Sequence, residues 1–527
     1  MRSYRAVRRK MALAFTLVIA TILWSVLTGS TQQAAECTTR ITLLHINDVY
    51  QFAPVDRGTR GGLARVMTLR KQIQKQSPYT LFLFAGDTIS PSVESIMYKG
   101  AQMIESWNTA GLDYATFGNH EFDFGPEVLR ERMKESRFPW IAANVIDKKT
   151  GKPFGGAESF VIREFDGVKI GIFGVVLPET GTTSRPGPDV DFLNPCETAK
   201  KAVSDIHARG AKVVVALTHL SMREDKELAR CSEVDVIIGG HEHTLQESAA
   251  GGAPIFKMTA DARELGWIDL NVSKSTGELE SIDWKVIQVT RETKEDQEFA
   301  VIYRKYEGQL KELSRSVGRS RVALDARSAE NRTRETNVGN MVAEAFRRAT
   351  GADVALMNGG SIRADTIISP GALTKRDLLS ILPFKNKVVK LELTGATLRA
   401  TLEHGVSTSG EDAQPGRFPQ VAGLRFTFDA SRPPGSRVVG VTVNGQPLDD
   451  HRKYTLATTN FLAIDGGDGY GMLKESRLLI VPEQGQNDFD ILRRAVLAAR
   501  SIAPKIDGRI KRLDKAYRGS SDCVEIK

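Results

Sequence analysis

The sequence predicts an α/β protein built from two domains. Its 527 residues, 41% hydrophobic and 26% charged, have a globular composition and exceed what one ordinary core accommodates. From residue 41 to about residue 287, short apolar runs alternate with amphipathic segments, as in layered α/β proteins. A charged stretch of helical pattern then separates this region from a second one, which has strand and helix patterns of its own.

The first 35 residues have the composition of an export signal. Five basic residues precede an uncharged apolar stretch from Met11 to about Leu27. The stretch is long for a removed signal and near the lower limit for a membrane span, so residues 1–35 are either a signal peptide or an uncleaved anchor. We therefore expect an exported protein, periplasmic or extracellular, that is membrane-anchored only if this segment is retained.

The charge balance does not indicate a nucleic-acid partner. Without the five basic residues of the leader, the 72 Lys and Arg are reduced to a small excess over 64 Asp and Glu. The remaining basic residues are spread along the chain rather than gathered into an arm or stripe, which is the pattern of an ordinary solvated surface.

Four cysteines could form two disulfides in an oxidising compartment. One hypothesis pairs Cys196 with Cys231 and Cys37 with Cys523, and the alternative is four free thiols. No two of them are close enough in sequence to indicate a zinc knuckle or a redox pair.

The first region, predicted as a domain over residues 40–290, contains five runs that read as buried strands. Each is followed at once by polar residues and glycines, and loops that leave strand ends are where α/β folds gather ligands. The runs are Ile41–Ile46, Thr80–Ala85, Val168–Val175, Val213–Leu217 and Val234–Ile238.

A connecting helix is predicted within residues 291–316. Phe299, Ile302, Tyr306 and Leu310 are spaced three or four apart in a charged stretch. The alternative is an ordinary surface helix of the first domain.

Residues 317–515 are predicted as a second α/β domain, followed by a tail over 516–527. Both strand and helix patterns occur in this region. The strand runs include Val354–Met357, Val388–Leu393 and Leu424–Phe428, and the helices include Asn340–Arg348 and Leu398–Glu403.

Five short segments of the first region place metal-binding side chains just after predicted strands. They offer carboxylate, amide and imidazole groups, a mixture that suits zinc, manganese or iron. The segments are Leu43–Asp48, Ala85–Asp87, Gly118–Asp123, Leu217–His219 and Gly239–His243, and their candidate ligands are Asp48, Asp87, Asn119, His219, His241 and His243.

The clustering of these residues favours a metal site over chance. A single His after a strand is usually structural, and a single Gly-Asp is usually a turn. The chain has only eight histidines, however, and most of them lie in these segments. His45 precedes its strand end, so we expect it to pack internally. Two ions a few ångströms apart need a bridging carboxylate, and Asp87 is central in the order of the loops.

The five segments resemble those of the calcineurin-like metallophosphoesterases, and specifically the 5′-nucleotidase family. The resemblance implies an N-terminal four-layer β-sandwich flanked by helices and a C-terminal α/β substrate-binding domain. It implies that the six ligands hold two divalent metals (Zn, Mn, Co or Fe) bridged by Asp87. It also implies a catalytic pair in which His120 donates to the phosphoryl oxygens or the leaving group and Asp123 orients it.

Tyr50 departs from the family pattern. Most members have a histidine ligand two residues after the first aspartate, where this chain reads Asp48-Val49-Tyr50. A tyrosinate can bind a ferric ion, whereas a neutral phenol is a poor zinc ligand. We favour loss of the ligand over its replacement by tyrosinate, in which case His243 matters more for retaining that ion.

Motifs of the second region resemble the C-terminal domain of the same family. The glycine-rich turn Asn358–Arg363 offers close backbone approach and a fixed cationic fork for a phosphate. By the resemblance, Arg363 faces the substrate phosphate, Phe418 and Phe461 sandwich the nucleobase, and Asp468 fixes the nucleoside. The alternative for either phenylalanine is core packing.

These features predict an exported phosphohydrolase that acts on nucleoside 5′-monophosphates. Nucleoside di- and triphosphates, nucleotide sugars and 2′,3′-cyclic nucleotides fit the same chemistry. A non-catalytic nucleotide-binding protein with a weakened metal site is the alternative, although a binder would not need the pair of His120 and Asp123. A structural or adhesive protein is disfavoured by the number of ligands at strand ends.

Overall fold

The computed structural model describes residues 37–410 and 413–514. The predicted leader over 1–35, the predicted tail over 516–527 and Cys523 lie outside these residues. Within the described ranges, no helix is long and apolar enough to cross a membrane.

Two sheets form the centre of the N-terminal domain, and a small three-stranded sheet lies beside them. The five-stranded sheet has the spatial order Leu279–Gln288, Glu264–Ser273, Thr38–Ile46, Thr80–Phe84 and Tyr114–Ala115. The six-stranded sheet has the order Gln246–Ala250, Ala253–Lys257, Val236–Gly239, Val213–His219, Val168–Val176 and Phe160–Phe165. The small sheet consists of Lys152–Pro153, Val145–Asp147 and Val190–Phe192.

The two large sheets pack face to face, and helices cover their outer faces. Leu43 and Leu83 of one sheet share a buried cluster with Ile172 and Val215 of the other. On the opposite face of the five-stranded sheet, Phe82 and Phe84 pack against Trp107 of helix Ala101–Ala110. The predicted four-layer β-sandwich flanked by helices is confirmed.

Among the described residues of this domain, the side chains of Ser92, Asn194 and Ser221 each cap the start of an α-helix. Ser221 accepts a hydrogen bond from the backbone N–H of Glu224, whose carboxylate accepts from the N–H of Ser221 in return. The α-helices are Leu63–Gln76, Val93–Tyr98, Ala101–Ala110, Pro126–Glu135, Thr180–Thr183, Pro195–Ala208 and Met222–Cys231. Short 3₁₀ helices are Asp56–Gly58, Asn119–Phe122 and Phe154–Gly156.

The predicted connecting helix spans Ala300–Leu310, between 3₁₀ turns at Gln297–Phe299 and Lys311–Ser314. Ile302 and Tyr306 pack into the core of the N-terminal domain, and the Tyr306 hydroxyl donates to Glu105 at 2.6 Å. Leu313, just beyond the helix, belongs to the core of the C-terminal domain. The segment thus packs on the first domain and leads into the second.

The C-terminal domain combines four sheets. The largest has the order Pro419–Ala422, Val354–Asn358, Lys453–Thr459, Val388–Thr394 and Arg477–Ile480. A four-stranded sheet contains Gln446–Pro447, Val438–Val443, Leu424–Phe428 and Ile510–Arg512. Smaller sheets are Gly371–Thr374, Ser316–Ser320 and Ser501–Ile502, and Leu324–Asp325 with Ile367–Ile368.

Helices pack on both faces of the largest sheet. Phe346 is buried against one face, and Leu398 and Leu402 are buried against the other. The α-helices are Ser328–Asn331, Asn337–Thr350, Lys375–Ile381, Gly395–Val406, Asn460–Ala463 and Asp488–Ala499, with 3₁₀ turns at Gly359–Ser361, Gly467–Gly469 and Gly471–Leu473. The predicted strands and helices of both domains are therefore present, with ends shifted by a few residues.

A disulfide joins Cys196 to Cys231, with Cα atoms 6.0 Å apart. It ties the first turn of helix Pro195–Ala208 to the end of helix Met222–Cys231. This pairing is the one predicted. Cys37 is exposed, and its predicted partner lies outside the described residues.

Candidate active site

The six predicted metal ligands converge at the carboxyl ends of strands from both sheets of the N-terminal domain. Asp48, Asp87, Asn119, His219 and His243 are each at most 5% exposed, and His241 is partly buried. Asp48, Asp87 and His241 have positive φ angles of 51°, 70° and 83°. Non-glycine residues adopt this left-handed backbone at a cost, and such strain is concentrated at functional sites.

Asp87 lies at the centre of the cluster. Its Oδ2 is 3.3 Å from Nε2 of His219 and 3.9 Å from Nε2 of His120. Its Oδ1 accepts the backbone N–H of His120 at 2.8 Å. Ligand atoms of Asp48, Asp87 and His219 all lie within 4.8 Å of one another. The arrangement is compatible with Asp87 as the bridging carboxylate.

The donor atoms fit a metal ion. Oδ1 of Asn119 and Nε2 of His219 are buried without a hydrogen-bond partner among the described residues, which is costly unless another group binds there. The ring of His219 donates from Nδ1 to the carbonyl of Ala85 at 2.8 Å. That hydrogen bond leaves the lone pair of Nε2 directed at the cluster, as a metal-binding imidazole requires.

The electrostatics of the cluster favour added positive charge. Burial alone would raise the pKa of Asp87, but His219 and His120 outweigh it and hold the pKa well below its ordinary value. Burial opposes protonation of His219, yet Asp87 and Asp48 raise its pKa to about 10. A proton bound between two carboxylates in this way marks a place where a divalent cation can replace it.

The Tyr50 hydroxyl occupies the other half of the cluster. It lies 3.1 Å from Asp87 Oδ2, 3.3 Å from Asp48 Oδ1 and 3.0 Å from His243 Nε2. Burial and the charge of Asp87 raise the pKa of Tyr50 well above its ordinary value, so the phenol is neutral.

His120 and Asp123 form a hydrogen-bonded pair beside the cluster. Nδ1 of His120 lies 2.8 Å from Oδ2 of Asp123, and the hydroxyl of Ser184 donates to the other carboxylate oxygen at 2.7 Å. The opposite edge of the imidazole faces Asp87, and Phe384 of the C-terminal domain stacks on the ring with centroids 5.9 Å apart. The imidazole is therefore held in one orientation, between the predicted ligands and the second domain.

A cavity of about 780 Å³ lies between the two domains. From the N-terminal domain it is lined by Asp87, Asn119, His120, Asp123, His241 and His243, and from the C-terminal domain by Arg332, Asn358, Arg363, Phe384, Phe461 and Asp468. Arg363 lies over the Tyr50 ring, with its guanidinium carbon 5.0 Å from the centroid. The predicted phosphate-binding arginine thus sits directly opposite the predicted metal ligands.

Phe461 and Asp468 line the cavity, but Phe418 does not. Asn358 donates to Asp468 at 2.6 Å, and Phe461 lies partly buried beside the same loop. Phe418 is 0% exposed and packs against Phe428 in the core of the C-terminal domain. The expectation that Phe418 stacks on the base is corrected: its ring fills the core beside Phe428, and the preceding residue, Arg417, lines the cavity.

Arg332 and Glu121 belong to the site but were not predicted from the sequence. Arg332 lines the cavity and is 8% exposed, and no hydrogen bond or ion pair of its side chain is found among the described residues. Glu121 accepts the backbone N–H groups of Asp87 and Gly118, which fixes the loop of the central ligand. Arg332 lies three residues before Glu335–Asn340, a segment that also resembles the family's C-terminal domain. Its closeness to that segment was the sequence feature that could have indicated a role in the site. Glu121 lies inside the predicted segment Gly118–Asp123, but no local pattern indicated that its carboxylate would bind backbone N–H groups of the Asp87 loop.

His45 behaves as expected. It is 0% exposed, lies against Gly266 of the neighbouring strand and is remote from the cavity lining. Burial lowers the pKa of His45 to about 3, so the ring is neutral.

Comparison with known proteins matches both domains. Residues 41–245 match the calcineurin-like phosphoesterase family, and residues 316–475 match the 5′-nucleotidase C-terminal domain. A solved structure described as a 5′-nucleotidase precursor from Thermus thermophilus is 31% identical, with a TM-score of 0.84; the alignment covers 90% of this chain and 100% of that one.

Two curated relatives are similar over most of this chain. The trifunctional nucleotide phosphoesterase YfkN of Bacillus subtilis is 31% identical over 89% of this chain, which spans only 35% of that larger protein. A snake venom 5′-nucleotidase of Gloydius brevicauda is 29% identical over 89% of this chain and 88% of its own length.

Proposed function

Because this chain belongs to the 5′-nucleotidase family of calcineurin-like phosphoesterases, we propose that it is an exported hydrolase that releases phosphate from nucleoside 5′-monophosphates. Family membership makes it a phosphoester hydrolase with divalent metal ions. The substrate, the number and identity of the metals, the residue roles and the export are the proposed parts.

One observation carries the proposal. The pair of His120 and Asp123 faces the same cavity as the metal-ligand cluster, and Arg363, Phe461 and Asp468 line the opposite wall. One bound nucleotide could therefore contact an arginine with its phosphate, His120 with its leaving oxygen, and Phe461 and Asp468 with its nucleoside. A protein that only binds nucleotides has no use for a general acid beside a metal centre.

The two arginines bind the phosphate. Arg332 and Arg363 are cations from the C-terminal domain that line the same cavity as Asp87 and His243. Guanidinium groups match phosphate oxygens in geometry and charge. Their side of the cavity holds the phosphate against the N-terminal domain, so the ester oxygen points towards His120.

His120 serves as the general acid. Water adds to phosphorus as the bond from phosphorus to the 5′-oxygen breaks, and His120 gives its proton to that departing oxygen. One hydrogen of the water stays on the released phosphate, and the other restores the proton of His120 through solvent. Asp123 accepts the Nδ1–H and favours the imidazolium, whose Nε2–H, on the side that faces the cluster, is the proton given up. Ser184 fixes the carboxylate in turn.

Asp48, Asp87, Asn119, His219, His241 and His243 are proposed to hold two divalent ions, with zinc, manganese, cobalt and iron as the candidates. When bound, such ions polarise the phosphoryl group and lower the pKa of water. The poor ligand quality of the Tyr50 phenol predicts that one of the two sites binds more weakly than the other.

Phe461 supplies the apolar face for the base, and Asp468 with Asn358 fixes the nucleoside. Stacking on a ring tolerates any base, so we expect broad nucleobase use with phosphate chemistry setting the selectivity. Nucleoside di- and triphosphates, nucleotide sugars and 2′,3′-cyclic nucleotides are the further candidate substrates.

Export is supported by two observations. The disulfide between Cys196 and Cys231 is typical of proteins in oxidising compartments, and one relative is named as a venom protein. The domain limits at residues 40–290 and 317–515, with a connector over 291–316, are part of the same proposal.

The test is phosphate release from AMP by protein that has been stripped of metal and reloaded in turn with zinc, manganese, cobalt and iron. We expect turnover with at least one metal, and comparable turnover of GMP, CMP and UMP. Measurable AMP binding without phosphate release under any metal would instead favour a nucleotide-binding protein.

A further inference from the structure

Lys257 is a buried cation behind the metal-ligand cluster. It ends strand Ala253–Lys257, its side chain is 0% exposed, and it is absent from the lining of the cavity. Lysine is almost never fully buried unless it is paired. The partners that hold it there therefore indicate what it does.

The ammonium of Lys257 connects the two loops that carry the histidine ligands. Nζ donates to the carbonyl of Leu220 at 2.6 Å and to the carbonyl of Gly240 at 2.9 Å. Leu220 directly follows His219, and Gly240 directly precedes His241. One charged group is thus hydrogen-bonded to the backbone next to both ligands.

Two carboxylates complete the cluster around Lys257. Asp225 lies 2.8 Å from Nζ, and its other oxygen accepts from the hydroxyl of Thr218 at 2.6 Å. Glu242, which lies between His241 and His243 in sequence, also contacts Nζ, and it accepts the backbone N–H of Met222 at 2.6 Å. Asp225 therefore links the lysine to the Thr218 side chain, next to His219, and Glu242 links it to the backbone of Met222.

Gly239 leaves room for this arrangement. A Cβ atom at this position would lie 2.9 Å from Cε of Lys257 and 3.1 Å from Oδ2 of Asp225. Any larger residue would push against the lysine, so the glycine and the buried cation belong to one packing unit.

Building on the proposed function, we propose that Lys257 is a positioning residue that sets the distance between the loop after His219 and the loop that carries His241 and His243. An ammonium has three N–H bonds in tetrahedral directions, so it holds the carbonyls of Leu220 and Gly240 and the carboxylate of Glu242 at one spacing, with Asp225 beside it as an ion-pair partner. An apolar side chain of similar length fills the space but joins nothing. An apolar substitution of Lys257 therefore removes the hydrogen bonds and the charge while keeping the packing.

The experiment compares the wild type with Lys257→Met and with a matched control, Lys212→Met. Lys212 is an exposed lysine, 3.1 Å from Glu278, and it precedes strand Val213–His219 at the end away from both loops. Each protein is loaded with cobalt(II), and we measure its visible absorption spectrum, its cobalt affinity by competition with a chelator, and its folding by circular dichroism. We expect Lys257→Met to lose cobalt affinity at least tenfold and to change the spectrum, while Lys212→Met matches the wild type.

A second variant covers the risk that Lys257→Met does not fold. Glu242→Ala leaves the pair of Lys257 and Asp225 neutral, so it is expected to fold, and it removes one of the two contacts that tie the His241–His243 loop to the cation, leaving the Gly240 carbonyl. We expect its cobalt spectrum to change and its affinity to fall at least threefold. With saturating metal, kcat for AMP should fall in both variants while KM stays within twofold, because the nucleoside contacts lie on the other domain.

A wild-type cobalt spectrum and affinity in either folded variant would overturn the positioning role. These two readouts do not depend on turnover. If the wild type failed to hydrolyse AMP, the proposed function would fail while the spectra still decided the role of Lys257.

Discussion

Arg332→Met should weaken substrate binding and stabilise the fold at the same time. Burial and the neighbouring Arg363 lower the pKa of Arg332, which means that its charge is held at a cost. No hydrogen bond or ion pair of this side chain offsets that cost among the described residues. Methionine is unbranched and adapts to irregular space, so it should fill the site without strain.

The magnitudes follow from the loss of charge. Replacing buried ionic groups by apolar ones of similar volume stabilises a fold by up to about 4 kcal/mol, and each kcal/mol raises Tm by about 2–4 °C in a domain of this size. A hydrogen bond to a charged group contributes about 1.5–3 kcal/mol. We therefore expect kcat/KM for AMP to fall by roughly tenfold to a hundredfold.

Calorimetry without ligand and initial rates with AMP measure the two effects, with Arg348→Met as the control. Arg348 is 76% exposed on helix Asn337–Thr350 and pairs with Glu344, so both quantities should stay near the wild-type values. A lower Tm together with an unchanged kcat/KM would refute the reasoning, because it would mean that Arg332 supports the fold and not the ligand.

Three further perturbations have expected outcomes. Phe461→Ala should raise KM for AMP with little change in Tm. Phe418→Ala removes a fully buried ring and should lower the free energy of unfolding in denaturant titrations by about 3–5 kcal/mol. The reverse pattern would reinstate Phe418 as a stacking ring. Removing the Cys196–Cys231 disulfide, which closes a loop with a sequence separation of 35, should lower stability to urea by about 2–4 kcal/mol, and an unchanged midpoint would contradict this. Burial raises the pKa of Asp488 from 3.8 to about 7. Its contribution to stability is therefore fully present below pH 3.8 and is lost as pH rises through 7. Asp488→Asn should raise Tm at pH 8 and not at pH 4, and equal shifts of Tm at both pH values would contradict the raised pKa.

The strand-end residues could be predicted because their information is local. Asp48, Asp87 and His219 each follow an apolar run that identifies a strand, and parallel strands bring their ends to one edge of a sheet. The alternation of runs and amphipathic segments likewise indicated the layered architecture. Both inferences need only the order of residues along short segments.

Other features depend on contacts that the sequence does not display. Phe418 is buried because its ring packs against Phe428, ten positions further along the chain, and not because of a local pattern. Lys257 meets Leu220 across 37 positions and Gly240 across 17, so no local pattern connects them. Arg332 is identified by its burial without a partner, which only a three-dimensional structure can establish.

The central claim is that His120 is the general acid of a metal-dependent nucleotidase. The most direct measurement is phosphate release from AMP by metal-loaded His120→Ala, with the exposed His207→Ala as control and metal content determined for both. The account predicts that His120→Ala keeps its metal and loses about 100-fold or more in kcat, while His207→Ala matches the wild type. Turnover by His120→Ala at the wild-type rate with full metal content would contradict it.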